Sequence, residues 1–253
     1  MDILFTICGR AGSKGIKNKN IRNFLEFPLP YYTFSAIALY MKERSGNEID
    51  VVVNTDSAEL IQLTRKNPFT EIHTINRKAE LAGDRVPKPA VILDCLQQCE
   101  VLHNKKYDMV VDADITSPLR TVQDICNLIE TQALKRSDVT FSVTDSRRNP
   151  YFNMVMKSEG GIKKVMDSEY VARQQAPEIY DMNASLYAYS PEFLLRGRGV
   201  LDGRCEIIKM MDTGILDLDH ENDFVLMEVI AEYLFKNNAE YGEIYDLVKS
   251  KSV

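Results

Sequence analysis

Residues 3–15 read Ile-Leu-Phe-Thr-Ile-Cys-Gly-Arg-Ala-Gly-Ser-Lys-Gly, an apolar run that leads directly into a loop of glycines and basic residues. The run at residues 3–8 is short and continuously apolar, which is typical of a strand that is buried on both faces. Runs of the same kind stand at residues 49–54, 109–112 and 139–144. We therefore predict a set of buried strands, the first of which ends where the glycine-rich loop begins.

Apolar residues between the predicted strands recur at helical spacing. One set is Val91, Ile92, Cys95, Leu96, Cys99 and Leu102, and a second is Val122, Ile125, Cys126, Ile129 and Ala133, with Thr121 as a candidate N-cap. Alternating strands and helices predict an α/β fold with right-handed βαβ units around a mostly parallel sheet. Because ligands of such sheets bind beyond the carboxyl ends of the strands, we look for chemistry in the loops after Ile7, Asn54 and Asp112.

The 253 residues predict one domain spanning 1–253, with a change of pattern after Pro150. Residues 151–157 and 161–165 are predicted to form two strands joined by a turn at 158–160. This inserted hairpin region, roughly residues 146–178, lies outside the βα repeat.

Composition excludes several classes of protein. The chain has 31 Lys and Arg against 37 Asp and Glu, a net charge of −6, so a nucleic-acid partner is not expected. No apolar stretch approaches the ~20 residues of a membrane helix, and the N-terminus lacks the features of a signal peptide. The odd number of cysteines, five, fits reduced thiols, and we expect a cytoplasmic enzyme with no membrane partner.

The loop after the first strand concentrates positive charge. Between Gly9 and Arg22 stand five basic residues and no acidic one, in a chain that is acidic overall. Glycines allow the backbone N–H groups to approach phosphate oxygens, and the cations supply charge, so we predict a phosphate site over a merely solvated basic loop. The spacing matches neither the Walker A nor the Rossmann glycine pattern.

This loop resembles the N-terminal signature of the CMP-sialic acid synthetases, the acylneuraminate cytidylyltransferases. Further segments match that family in order, over about residues 3–224: Asn54-Thr55-Asp56, Arg77-Lys78-Ala79-Glu80-Leu81-Ala82-Gly83-Asp84, Thr116-Ser117-Pro118-Leu119-Arg120, Asn149-Pro150-Tyr151-Phe152-Asn153, Arg173 with Asn183-Ala184-Ser185-Leu186-Tyr187, and Asp217-Leu218-Asp219. The resemblance implies a nucleotide-diphospho-sugar transferase-like (Rossmann-like) fold with a dimerisation hairpin. It also implies that CTP and a nine-carbon 2-keto sugar acid, sialic or legionaminic in type, react to give the CMP-sugar and pyrophosphate.

The same resemblance assigns roles to individual residues. Those that would hold the nucleotide are Arg10, Gly12, Ser13, Lys14, Lys19, Asn20, Arg77 and Asp84, and those that would contact the sugar acid are Asp114, Thr116, Ser117, Arg173, Asn183 and Tyr187. Catalysis would depend on Arg10, Lys19 and Asp217. Asp217 and Asp219 would bind Mg²⁺, and a second copy of the chain would cover the hairpin to form a homodimer.

The residues alone support part of this assignment. In an extended segment, Asp217 and Asp219 would point to the same side and could share one Mg²⁺, which favours hard oxygen donors. The alternative is that Asp219 caps a helix that begins near Glu221. The guanidinium of Arg173 suits a sugar carboxylate, although a surface position is an equal alternative.

Two other functions are weighed against the transferase. Asp112-Ala113-Asp114-Ile115-Thr116 resembles the nucleophile motif of haloacid-dehalogenase-like phosphatases, but the usual glycine after the second aspartate is absent. A non-catalytic nucleotide-binding protein is disfavoured because both the basic loop and the aspartate pair are present. Cys95 and Cys99 lie in an apolar stripe and are expected to pack in the core, and the three histidines suggest no shared site.

Asp114 departs from the family pattern, in which many N-acetylneuraminate enzymes have Gln. An ionised carboxylate only accepts hydrogen bonds, so this position should favour a sugar that presents N–H or O–H donors, such as a 5,7-diamino nonulosonate of the legionaminic type. Ala184, where Asn-Gly is common, narrows the pocket slightly. The alternative, by resemblance to the KDO cytidylyltransferases, is that Asp114 faces the metal.

Overall fold

A computed structural model describes residues 1–12, 15–83, 85–214, 218 and 220–252, with the side chain of Arg173 left out. In chain order, the strands of this part of the chain are β1 (Asp2–Cys8), β2 (Asn23–Phe24), β3 (Phe27–Pro28), β4 (Glu48–Thr55), β5 (His73–Asn76), β6 (Met109–Ala113), β7 (Val139–Asp145), β8 (Val155–Ser158), β9 (Gly161–Lys164), β10 (Tyr180–Tyr189) and β11 (Cys205–Lys209). Seven of them form the central sheet in the order β11-β7-β10-β6-β1-β4-β5. β10 runs antiparallel to both of its neighbours, and the other pairs in this sheet are parallel. The predicted mostly parallel α/β fold is confirmed.

Helices cover both faces of the sheet. In chain order they are α1 (Pro30–Glu43), α2 (Ala58–Lys66), α3 (Lys88–His103), α4 (Val122–Lys135), α5 (Pro191–Leu195), α6 (Glu221–Asn237) and α7 (Ala239–Lys251). Buried residues of α1, α4, α6 and α7 pack on one face, and those of α3 and α5 pack on the other. Because β1 and β6 are buried on both sides, their sequences are almost continuously apolar rather than alternating.

The predicted strands and helices lie where local sequence placed them. β1, β4, β6 and β7 cover the four apolar runs, and Thr121 is the N-cap of α4, where its side chain accepts a hydrogen bond from Asp124 N. Cys95 and Cys99 are buried on the α3 side of the sheet, so their predicted role in the core is confirmed.

The hairpin is present but shorter than predicted. β8 begins at Val155, not at residue 151, because Asn149 organises the preceding turn: its Oδ1 accepts from Tyr151 N, and its carbonyl accepts from Phe152 N and Asn153 N. β8 and β9 form a separate two-stranded sheet. Several of its apolar side chains are exposed, among them Val155, Met156 and Ile162.

Candidate active site at the carboxyl edge of the sheet

Three adjacent parallel strands, β4, β1 and β6, bring their carboxyl ends to one edge of the sheet. The register pairs Cys8 with Asn54 and Thr6 with Asp112. Tyr187, on the antiparallel strand β10, lies opposite Asp112. The three loops singled out from the sequence therefore meet at this edge, as the topology of a parallel sheet requires.

The basic loop is anchored by the loop that follows β4. Gly9 N donates to Asn54 O at 3.2 Å, and Ala11 N donates to Asp56 Oδ1 at 2.7 Å. A Cβ on Gly9 would lie 2.6 Å from Leu60 Cδ2 and 2.8 Å from Ile115 Cδ1, so only glycine fits this close passage. The loop is thus held against the sheet at its start, while Gly12 turns it with a φ of +71°.

The predicted phosphate ligands of this loop divide into three groups. Arg10 and Lys19 are half-buried on the loop, where their charge can face a ligand. Asn20 donates from Nδ2 to Arg10 O at 2.9 Å, so its side chain shapes the loop. Ser13 and Lys14 lie outside the described residues.

Arg77 lies alongside the end of β4. Its Nε donates to Asn54 Oδ1 at 2.7 Å and its Nη2 to Asn54 O at 3.0 Å. Asn54 is fully buried, and no hydrogen-bond partner of its Nδ2 is found among the described residues. Arg77, predicted to contact the nucleotide, therefore also fixes the orientation of the Asn54 amide. Asp84 lies outside the described residues.

A lysine joins Asp112, near the end of β6, to Asp114 in the loop that follows. Lys88 Nζ lies 2.7 Å from Asp112 Oδ2 and 2.6 Å from Asp114 Oδ2. Asp112 is fully buried and also accepts from Thr6 Oγ1 at 2.9 Å, whereas the side chain of Asp114 is 20% exposed. The sequence prediction missed Lys88. A usable signal was its position at the first residue of a helix, where the helix dipole disfavours a cation unless nearby anions hold it.

This cluster keeps Asp114 ionised. Burial raises the pKa of Asp114, but Lys88 and the hydrogen bonds from Thr116 outweigh burial and bring that pKa to about 2. Burial likewise lowers the pKa of Lys88, and the carboxylates of Asp112 and Asp114 hold it well above its usual range. Near neutral pH Asp114 is thus ionised and Lys88 carries its positive charge.

The loop after β6 is braced from behind by Arg120, which is fully buried. Its Nη2 donates to the carbonyl oxygens of Asp114 and of Ser117, the latter at 2.6 Å. Thr116 donates from its N and its Oγ1 to Asp114 Oδ1 at 2.8 and 2.7 Å. These bonds hold Asp114, Thr116 and Ser117 together at the carboxyl edge of the sheet.

The remaining predicted sugar ligands, Tyr187, Asn183 and Arg173, differ from one another in location. Tyr187 is half-buried, and Lys88 Nζ lies 6.0 Å from the centre of its ring. Asn183 is buried, and its Oδ1 accepts from Ser142 Oγ at 2.5 Å, so the amide is engaged within the protein. Next to it, Ala184 has a φ of +53° in an irregularity of β10. Arg173 begins a short 3₁₀ turn, Arg173–Gln175, outside the central sheet.

The predicted metal ligands Asp217 and Asp219 lie outside the described residues. Leu218, between them, is buried in the core. The N-cap of α6 is His220, whose N–H donates to Asp223 Oδ2 at 2.8 Å. The alternative role of Asp219, as a cap of this helix, falls on a residue outside those described. Over the part of the chain that is described, no group of three His, Cys, Asp or Glu side chains could hold a metal ion.

Other features of the described chain add no second site. The rings of His73 and His103 lie 4.9 Å apart at the opposite end of the sheet. The five cysteines are free. No helix in the described ranges is both long and apolar enough to cross a membrane.

Comparison with known proteins shows a family of similar sequences. The model of the cytidylyltransferase family matches residues 4–244. Post-translational flagellin modification protein B of Campylobacter coli is 33% identical over 91% of this chain and 95% of its own. A CMP-N,N'-diacetyllegionaminic acid synthase of Campylobacter jejuni is 32% identical over 90% of this chain and 94% of its own. An N-acylneuraminate cytidylyltransferase of Streptococcus agalactiae is 25% identical over 90% of this chain and 52% of its own.

Solved structures share the architecture. A CMP:2-keto-3-deoxy-manno-octonic acid synthetase, in complex with CTP, superposes with a TM-score of 0.62 over 93% of this chain and all of its own, at 13% identity. A 4-diphosphocytidyl-2C-methyl-D-erythritol synthase of Anaerococcus prevotii gives a TM-score of 0.57 over 91% of this chain and 98% of its own, at 12% identity. At these identities the likeness concerns the fold alone, and that fold is one that nucleotidyltransferases use.

Proposed function

Because the chain belongs to the cytidylyltransferase family, we propose that it couples CTP to a nonulosonic acid, a nine-carbon 2-keto sugar acid, and releases pyrophosphate. The observation that carries the proposal is the meeting of a cationic loop and an ionised Asp114 at one edge of the sheet. The first group suits a triphosphate, and the second suits the hydroxyl and N–H groups of a sugar. The family assignment disfavours the haloacid-dehalogenase-like phosphatase.

The reaction joins the anomeric hydroxyl oxygen of the sugar to the α-phosphorus of CTP and breaks the bond from that phosphorus to the oxygen it shares with the β-phosphate. Arg10 and Lys19 bind the triphosphate and offset the charge that develops on it. The backbone around Gly12 brings N–H groups close to phosphate oxygens. Asp114, held in place by its neighbours, accepts a hydrogen bond from the sugar. Catalysis is then largely a matter of positioning and charge stabilisation.

Mg²⁺ is part of this proposal, with Asp217 and Asp219 as the residues that would hold it. Carboxylate oxygens are the donors that Mg²⁺ prefers, and Asp114, ionised and partly exposed, supplies negative charge at the carboxyl edge of the sheet. When bound, the ion would offset phosphate charge and make the attacking hydroxyl more acidic. EDTA should abolish pyrophosphate release, and added Mg²⁺ should restore it. Activity that survives EDTA would contradict this part of the proposal.

The sugar is proposed to be a 5,7-diamino nonulosonate of the legionaminic type rather than N-acetylneuraminate. The Asp114 carboxylate offers about four acceptor sites. Thr116 uses two on Oδ1 and Lys88 uses one on Oδ2, which leaves acceptor capacity for a sugar donor. We expect Asp114→Gln to raise kcat/KM for N-acetylneuraminate relative to the diamino sugar. A uniform loss on both sugars would instead support a metal-facing Asp114.

The proposed function is tested with a pyrophosphate-release assay that crosses the four NTPs with several ulosonic acids, including an eight-carbon KDO-type acid. CTP with a nonulosonic acid should give the highest rate. Arg10→Ala or Lys19→Ala should lower kcat/KM by at least ~10²-fold, because charge-assisted contacts to the transferring phosphoryl group strengthen in the transition state. No release with CTP for any ulosonic acid, together with hydrolysis of a simple phosphate ester, would refute the proposal in favour of the phosphatase.

The enzyme is further proposed to be a cytoplasmic homodimer that associates through the hairpin. Exposed apolar side chains cluster there: Phe152, Met154, Val155, Met156 and Ile162. Burying such a patch against a second copy would remove it from water. Ile162→Lys should then yield a monomer by light scattering, whereas Val101→Lys, at an exposed apolar position on α3, should not. A monomeric wild-type protein at micromolar concentration would contradict the dimer.

A further inference from the structure

Lys88 has no role in the reaction as proposed so far, yet it lies at the centre of the site. It is the first residue of α3, and its ammonium group contacts Asp112 and Asp114 at 2.7 and 2.6 Å. A cation at a helix N-terminus is disfavoured by the helix dipole, so this position is not explained by the stability of α3. The contacts with the two carboxylates account for it.

The two carboxylates differ in burial and in the element that carries them. Asp112 belongs to the central strand β6, is fully buried, and is also held by Thr6 Oγ1. Asp114 belongs to the loop beyond that strand, and its side chain is 20% exposed. Lys88, itself 31% exposed, therefore ties a carboxylate that the sheet fixes to one that faces the substrate side.

Repulsion between the two carboxylates is the reason that a bridging cation is needed. Both Oδ2 atoms contact one nitrogen, so the carboxylates lie roughly 5 Å apart or less, a distance at which like charges repel strongly in a partly buried site. Asp112 is fully buried and is held by Thr6. If the ammonium group were removed, Asp114 would therefore be the carboxylate that responds, either by turning toward solvent or by taking up a proton.

We propose that Lys88 is a positioning residue for the transfer reaction, which fixes the direction of the Asp114 carboxylate by bridging it to Asp112. The inference rests on the proposed function, because it concerns the same site. It differs from a substrate contact in one respect: Lys88 acts through Asp114.

The chain supplies a matched control. Lys105 Nζ also bridges two aspartates, Asp50 at 2.8 Å and Asp2 at 3.3 Å, with a similar exposure of 28%. This second bridge lies at the opposite end of α3 and of the sheet, away from the site. Lys105→Met should therefore remove a lysine that bridges two aspartates, as Lys88→Met does, but should leave the transfer reaction unchanged.

The experiment measures kcat and KM for CTP by pyrophosphate release, well below the melting temperature of each variant. Lys88→Met should lower kcat ~10–100-fold with KM for CTP within ~3-fold, since small misplacements of a site group are costly. Lys88→Gln, which has two N–H donors for the two carboxylates, should recover at least half of that loss on a logarithmic scale. Lys105→Met should keep kcat within ~2-fold of the wild type.

A double-mutant cycle then tests the route of the effect. If Lys88 acts through Asp114, Lys88→Met added to Asp114→Asn should lower kcat by no more than ~3-fold further. A full multiplicative loss in the double variant, or a wild-type kcat in Lys88→Met, would overturn the proposal. If Lys88→Met does not fold, the same cycle built on Lys88→Gln decides. A wild-type protein without CTP-dependent release would refute the proposed function itself, whereas an active wild type with unaffected Lys88 variants refutes only the role of Lys88.

Discussion

The buried guanidinium of Arg120 allows a quantitative prediction about the loop that carries Asp114. Nη2 bonds two main-chain carbonyls of that loop, at Asp114 and Ser117, while no hydrogen-bond partner of Nε or Nη1 is found among the described residues. Burial lowers the pKa of Arg120 from its usual value to about 10, although the charges of Asp114, Asp112 and Asp124 oppose this. The side chain therefore braces the site at a cost in protein stability.

The magnitudes decide the outcome for Arg120→Met. The lowered pKa means that burying the charged guanidinium costs the folded protein ~3 kcal/mol, at ~1.4 kcal/mol per pK unit. The substitution by Met removes this cost together with the charge. Two hydrogen bonds from a charged donor are lost, at ~1.5–3 kcal/mol each. The free energy of unfolding should thus fall by only about 0–3 kcal/mol. The loop, however, loses the brace that sets its position, so kcat/KM should fall by ~10²-fold.

Urea denaturation and pyrophosphate release measure the two effects in the same protein. Arg204→Met is the matched control, because Arg204 Nη2 also bonds two main-chain carbonyls, those of Lys135 and Arg136, at an exposed place outside the site. This control should lose at most ~1 kcal/mol of stability and keep its kcat/KM. An Arg120→Met protein with normal kcat/KM would refute the bracing, and a loss of more than ~5 kcal/mol would refute the assigned cost of burial.

Three further predictions concern stability. Ala184→Gly should raise the melting temperature by up to ~2–4 °C, because a φ of +53° costs alanine up to ~1 kcal/mol more than glycine; a lower melting temperature would contradict that strain. Thr121→Ala should cost ~1 kcal/mol in urea denaturation through loss of the α4 cap, and Thr121→Ser, which keeps the hydroxyl, should cost much less. Although burial raises the pKa of Asp50, hydrogen bonds from Lys105 and Tyr107 outweigh burial and lower that pKa overall. The contribution of Asp50 to stability is therefore complete above its pKa in the unfolded chain and is lost as the pH falls through its lower pKa in the folded protein. The difference in melting temperature between wild type and Asp50→Asn should therefore narrow from pH ~5 to ~3, and a constant difference would exclude this linkage.

Much of the architecture could be predicted from sequence because its causes are local. Strands buried on both faces must be continuously apolar, which located β1, β4, β6 and β7. The side chain of Thr121 satisfies backbone donors only at a helix start, which located the beginning of α4. The main error of the sequence prediction was to start the first strand of the hairpin, β8, too early. Asn149 closes a turn before this strand through hydrogen bonds that an apolar pattern does not reveal.

The basic loop and the two aspartates at the end of β6 and just beyond it could also be predicted, because glycine, charge and position at a strand end are visible in the chain. The residues that contact them could not be predicted. Lys88 stands 24 positions before Asp112, and only the packing of α3 on the sheet brings its ammonium group between two carboxylates. In the same way, Arg77 reaches Asn54 because β5 pairs with β4 in parallel register.

By itself the sequence determined four buried strands and the start of α4, the place of a glycine-rich basic loop after the first strand, and the family to which the chain belongs. The tertiary structure alone decided that β10 inserts antiparallel between β6 and β7, and that Asn183 is engaged by Ser142 inside the protein. It also decided that Asp114 is ionised and held by Lys88. The physical reason is that propensity, capping and apolar period act between near neighbours in the chain. Strand order, the pairing of distant charges and the pKa values that follow from it depend on which distant surfaces pack together.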